Sequence, residues 1–152
     1  MKFFKLLSLL FISLALFACS VETADSMSSK NITSENRVSQ NITIPQIQKK
    51  WQLESIDGTP VSAEINSTLA VDAQGQATGR LACNHFFGRL ALKDNMLKIE
   101  QMGSTRMLCA GIMNRVEMIV SSVLNNGSEI SLTKNRLSLA GKKHSLIYRA
   151  DR

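Results

Sequence analysis

Cysteine is scarce in this chain: three among 152 residues, at positions 19, 83 and 109. None stands in a Cys-x-x-Cys pair, the spacing that with a helix N-terminus depresses a thiol pKa. Zinc-type ligand spacing, a glycine-rich phosphate loop and a Ser-His-Asp pattern are missing as well, and Glu117 has no second acid in view for hydrolysis. Aromatic residues make up 5% of the chain, with one Trp and one Tyr. They do not interleave with the basic residues as a stacking platform for single-stranded nucleic acid requires, so nucleic acid is excluded as a partner. Beyond residue 17 no segment is apolar enough to span a bilayer.

What is present begins with a leader. Met1–Lys5 is basic, and Leu6–Phe17 is apolar except for Ser8 and Ser13. That run is about half a bilayer-spanning helix in length, which predicts a signal-peptide core. Leu16-Phe17-Ala18-Cys19 resembles the lipobox of bacterial lipoproteins. The resemblance implies a signal peptide over 1–18, cleavage before Cys19, and lipid on its sulfur and new amino group. Several acyl chains would hold a membrane at about 0.8 kcal/mol per buried methylene. Ser20, by resemblance to Gram-negative sorting signals, implies the outer membrane, with the protein facing the periplasm. Ser20–Gln48 is polar, with isolated Ile32, Val38, Ile42, Ile44 and Ile47, so 19–48 is expected to be a flexible tether. One domain remains, 49–152, large enough for a single modest core.

The chain carries a net charge of +6. Lys134, Arg136, Lys142, Lys143, Arg149 and Arg152 crowd its C-terminal end against Asp151 alone. Such charges either lean on anionic lipid or polysaccharide, or solvate turns and guard edge strands from aggregation. The second reading is favoured.

Period-two alternation marks strands. Lys49–Ile56 sets Trp51 and Leu53 opposite Gln52 and Glu54, and Asp57-Gly58 predicts a tight turn. Thr68–Asp72 and Gln76–Leu81 follow. Phe86–Lys93 places Phe86, Leu90 and Leu92 on one parity, with Gly88 marking a bulge or close backbone approach. Met96–Ile99, Ile130–Thr133, Leu137–Leu139 and His144–Arg149 complete the strands. Between them, Ile112, Val116, Ile119, Val120 and Val123 form a helical stripe that ends at Asn125-Asn126-Gly127. The economical fold is α+β: an antiparallel, barrel-like sheet, which hides its edges, with one helix packed on it.

Two cysteines alone in an exported domain favour a Cys83–Cys109 disulfide. A redox pair, two free thiols, and a soft-metal site for Cu(I) with His85, Met102, Met107, Met113 and Met118 remain alternatives; scattered methionines more often fill cores. A Cys83–His85 nucleophile–base pair has nothing to orient the imidazole, and neighbours on opposite sides of an extended chain do not readily bond. Asn84 is expected to bridge backbone groups of its turn, His144 to be solvated, and Glu117 to pair with Arg106, since Arg115 is too close along the helix to face it.

Trp51-x-Leu53, Gly79-x-x-x-Cys83-Asn84-x-x-x-Gly88, Ser104-Thr105-Arg106-Met107-x-Cys109 and Glu117 with Leu124 together resemble the META domain family, over nearly all of residues 49–149. The resemblance implies a small exported α+β domain, often lipid-anchored, associated with heat stress and novobiocin tolerance, in a family for which no enzymatic activity is established. Ala82 departs from the family's usual glycine, which would matter if that position required φ > 0. On this reading there is no catalytic residue, metal or cofactor. Asn84, His85, Ser104, Thr105 and Arg106 are the candidate interaction residues, for an envelope protein or component. The alternatives are an inhibitor of lysozyme or a protease, and a periplasmic copper-binding protein.

Overall fold

The computed structural model describes residues 41–151. The expected signal peptide, the lipidation residue Cys19 and most of the expected tether lie outside them. The described chain opens with one helical turn, α1 (Ile44–Ile47), and then β1 (Lys50–Ile56), whose burial alternates with Trp51, Leu53 and Ser55 inward. Asp57 and Gly58 both take positive φ, 50° and 77°, the geometry of a type I′ hairpin turn. The turn leads into the two-residue β2 (Thr59–Pro60). β3 (Thr68–Val71), β4 (Gln76–Arg80), β5 (His85–Lys93) and β6 (Met96–Ser104) follow as consecutive antiparallel neighbours. Helix α2 (Gly111–Asn126) separates β6 from β7 (Ser128–Leu132), β8 (Arg136–Ala140) and β9 (Ser145–Ala150).

β9 returns to pair with β1, so the sheet closes into a ring, with β2 appended to β1. The antiparallel, barrel-like α+β arrangement expected from the alternation is what the chain adopts. The ring is not a uniform barrel. β6 and β7 share only two residue pairs, Met96 with Glu129 and Leu97 with Ser128. Beyond that pinch α2 packs against β6 and touches β9. Its Val116, Val120, Val123 and Leu124 join a core built on Trp51, Leu69, Leu97, Ile99, Leu137, Leu139, Leu146 and Tyr148. Each such aliphatic side chain contributes about 1.5–3 kcal/mol on burial.

Gly88 is a point of close approach. The β5–β6 register shifts between Phe87 and Arg89, where Gln101 takes φ 51°. A Cβ at position 88 would lie 2.5 Å from Ile99 Cγ2 and 2.9 Å from the Glu100 carbonyl. The bulge breaks the alternation, which is why β6 runs on to Ser104 while its sequence reads as a strand only to Ile99.

Two further expectations need correcting. Residues 42–47 belong to the domain, not to the tether. Ile47 is fully buried, its carbonyl accepts the Trp51 indole N–H at 3.0 Å, and Ile42 and Ile44 rest on the core. Isolated isoleucines in a polar segment bury nothing by themselves, but the core around Trp51 gives them a surface. Ile112 is exposed, because α2 begins beyond the end of the core it covers. Ala82 is buried and is not among the residues with positive φ, so its side chain meets no left-handed requirement.

His144 is not merely solvated. Its Nδ1 lies 2.7 Å from Asp57 Oδ2, and Asp57 Oδ1 accepts the Ser145 backbone N–H at 2.7 Å. The β1–β2 turn is thus tied to the start of β9. The His144 hydrogen bond, followed by that from Ser145, lowers the Asp57 pKa from 3.8. Because the folded value lies below the unfolded one, the tie stabilises the fold above the unfolded pKa and is lost as pH falls through the folded value. Asp57→Asn keeps a residue that tolerates φ > 0. Its urea midpoint is expected to fall below wild type at pH 5 and above, and to converge with it as the pH drops well under 3.8. A gap independent of pH would show that the carboxylate charge plays no part.

Candidate functional site

The two loops at the far ends of β4 and β6 meet over the N-terminal half of α2, and the Cys83–Cys109 disulfide joins them with a Cα–Cα distance of 6.1 Å. The first loop reverses direction through Leu81 N–H to the Asn84 carbonyl at 2.8 Å. That turn leaves the Cys83 and Asn84 amides without strand partners. Both point at one carboxylate: Glu117 Oε2 accepts Asn84 N–H at 2.9 Å and Cys83 N–H at 3.3 Å.

Asn84, almost fully buried, holds the two loops and the helix together. Its Nδ2 donates to Glu117 Oε1 at 2.7 Å and to the Met107 carbonyl at 3.1 Å. Its Oδ1 accepts Met107 N–H at 2.7 Å and the Thr105 hydroxyl at 2.8 Å. Asn84 therefore bridges a neighbouring loop and a helix rather than its own turn. Thr105 continues the ladder: its N–H donates to the His85 carbonyl at 3.0 Å, and its Oγ1 accepts His85 N–H at 3.1 Å.

Of the predicted interaction residues, Asn84, His85 and Thr105 are brought together by these bonds, and Ser104 pairs across the sheet with Phe86. Ser104 and Arg106 are exposed. Arg80 Nη1 lies 3.3 Å from His85 Nε2, and its Nη2 donates to the Cys83 carbonyl at 3.3 Å. Glu117 does not pair with Arg106; the backbone N–H groups of Cys83 and Asn84 and the side-chain amide of Asn84 occupy it, and Cys109 Sγ lies 3.6 Å from its Oε2. This role of Glu117 lay outside the sequence reading. Its signal was positional: an acid at the border of the apolar stripe of α2, one residue from Val116, has to find donors in whatever the helix covers.

Cys83, Cys109 and Glu117 place their ligand-type atoms within 4.8 Å of one another. With the sulfurs bonded to each other neither is a thiolate, so the set offers a soft metal a single carboxylate. The same bond removes Cys83 as a nucleophile for His85. Met102 is partly buried against the core, while Met107, Met113 and Met118 are exposed.

A barrel-like ring with one covering helix, whose two loops are clamped by a disulfide and an Asn–Glu pair, defines a small class of domains. Residues 40–152 match the model of the META domain, and the chain belongs to the META domain family. It is 31% identical over 110 residues to heat shock protein HslJ of Escherichia coli strain K12, spanning 71% of this chain and 79% of that protein. A protein structure solved by NMR superposes with a TM-score of 0.63 at 30% identity, covering 72% of this chain and 95% of its own. A second NMR structure, of a protein from Burkholderia xenovorans, shares the fold with a TM-score of 0.58 at 23% identity, covering 71% and 86%. Among the described residues no helix is long and apolar enough to cross a membrane.

Proposed function

We propose that this chain is a lipid-anchored protein of the cell envelope that acts in heat-stress or novobiocin-type tolerance by binding rather than by catalysis. Cys19 would carry the anchor, holding the domain at the outer membrane and facing the periplasm. The observation that carries the reading is how the polar groups of the loop junction are spent on one another. Both sulfurs share a bond, Glu117 accepts amide hydrogens, and Asn84 uses both ends of its side chain. Such a junction is a rigid platform. What it presents outward is His85, Ser104, Arg106 and the apolar residues beside them, a surface for contact with an envelope protein or component. The similarity to a heat shock protein supports the physiological setting.

A strain lacking its own copy, complemented with variants, tests this. His85→Ala combined with Arg106→Glu touches exposed side chains, so the domain is expected to keep its melting temperature while survival under heat or novobiocin falls to that of the empty strain. Cys19→Ser is expected to relocate the protein and give the same loss. Full protection by the His85/Arg106 variant would overturn the binding reading.

A second reading rests on one observation: the segment after Arg106 projects Leu108 fully into solvent while Cys109 pins its base. An inhibitor of lysozyme or a protease presents a loop in this way. A drop in lytic or proteolytic rate at micromolar protein is its test.

A further inference from the structure

We propose that the segment Met107–Met113 is a tip that seats on an anionic lipid surface, giving the domain a membrane contact of its own. The inference rests on the binding reading above and names the occupant of that same surface.

Apolar exposure in the domain is concentrated at one place. Seven large apolar side chains are exposed among the described residues, and six of them are Phe87, Met107, Leu108, Ile112, Met113 and Met118. Four of them, Met107, Leu108, Ile112 and Met113, fall within the segment 107–113 that flanks Cys109. Leu108 is 104% exposed, a side chain held entirely outside the fold. Ile112 lies four residues before Val116, and Met113 seven before Val120, so both continue the buried face of α2 past the edge of the core. The stripe that covers the barrel therefore runs on toward solvent. Apolar exposure gathered in one short segment marks an interaction site.

Charge decides the kind of surface. Residues 79–88 and 103–118 contain Arg80, Arg106 and Arg115 and one acid, Glu117. Glu117 is turned inward on the Cys83 and Asn84 amides, whereas Arg106 and Arg115 are exposed. The positive end of the α2 dipole lies at the same end of the domain, and its N-cap, Ala110, supplies no side-chain oxygen to the first-turn amides. Apolar side chains projecting from a cationic rim match the acyl boundary beneath anionic headgroups. A projecting leucine rather than a groove suits a fluid layer that closes around it. Pinning by Cys109 and by the Asn84 bonds to Met107 orders the tip before it binds, which lowers the entropy lost on contact.

The test uses residues 40–152, the segment the family model matches. The solved relative matches this chain over 95% of its own length, so the equivalent segment folds there as an isolated domain. Co-sedimentation is measured with vesicles of phosphatidylcholine alone and of phosphatidylcholine mixed with phosphatidylglycerol. The anionic vesicles are expected to bind about tenfold or more tightly than the neutral ones, with the affinity falling as salt rises. Leu108→Asp is expected to lose about tenfold or more of that affinity. Arg106→Gln and Arg115→Gln are each expected to lose about fivefold, the effect of one cation near an anionic surface. All three side chains are exposed, so melting temperatures stay at the wild-type value and a lost affinity is not lost folding. Equal binding to both vesicle types, no binding, or binding that Leu108→Asp leaves intact would each overturn the proposal. Loss of stress survival in the His85/Arg106 variant, together with no vesicle binding, would leave the binding reading standing with a protein as the occupant.

Discussion

Asn84→Asp is expected to be the most damaging single substitution at the loop junction, destabilising the domain by more than Asn84→Ala. The alanine variant leaves Glu117 Oε1, the Met107 amide and the Thr105 hydroxyl without their partner in a part-buried site. Orphaned groups of this kind cost about 1–3 kcal/mol each, so a loss of roughly 3–4 kcal/mol follows. The aspartate does more. It replaces an N–H donor 2.7 Å from Glu117 Oε1 with a carboxylate oxygen, and two carboxylates at that separation do not both ionise freely. Against a total stability of about 5–15 kcal/mol, either change is a large fraction. Urea unfolding measures both. Glu117→Gln in the Asn84→Asp background restores a donor–acceptor pair and is expected to recover about 1 kcal/mol or more. Absence of any recovery would show that like-charge contact is not the source of the loss.

Removing the Cys83–Cys109 bond is expected to cost about 3 kcal/mol. The bond closes a loop with a sequence separation of 26, and in the chain-entropy model a loop of that size is worth about 3–4 kcal/mol. For a domain of this length the melting temperature should fall by roughly 15 °C on reduction or in Cys83→Ser with Cys109→Ser. Thermal melts with and without reductant measure it, and reductant should not affect the double serine variant. An unchanged melting temperature would mean that the Asn84–Glu117 bonds hold the junction unaided. Because the disulfide and Asn84 brace the same two loops, their combined loss is expected to differ from the sum of the single losses.

The strands were legible because period two survives in a half-buried sheet. Trp51, Leu53, Phe86, Leu90, Leu146 and Tyr148 all point inward as their parity implies. Turn chemistry was equally direct at Asp57-Gly58, where both residues take positive φ. Legibility ended where an element's fate depends on something distant in sequence. Gln101 and Met102 break the alternation of β6 because Gly88, on another strand, draws the backbone close. Ile47 looks isolated in sequence, yet Trp51 and the core enclose it. Ile112 fits the apolar stripe of α2 perfectly well, yet how far the core extends beneath that stripe is set by the sheet.

The site shows the same division. The pairing of Cys83 with Cys109 followed from scarcity, and Asn84 and Thr105 from the motif they sit in. Glu117 and His144 did not follow, since their partners lie 33 and 87 residues away, and local charge pairing pointed to Arg106 and to solvent instead. A carboxylate that faces backbone amides leaves no mark in the sequence of those amides.

The pairing of β1 with β9 has a consequence for how the chain is made. The first strand of the ring is sealed by the last, through registers that run from Trp51 with Ala150 to Ile56 with Leu146. A chain emerging from its N-terminus can form the β3–β6 meander early, but one edge of β1 has to wait until residue 150 is available. Closure is thus a single late event over nearly the full length of the domain, the kind of non-local contact that slows folding and leaves a strand edge open to wrong partners. Truncation before Ser145 would remove that closing strand and expose β1 and β8 together, so a nascent or clipped chain of this design depends on being held or finished before it is safe from aggregation.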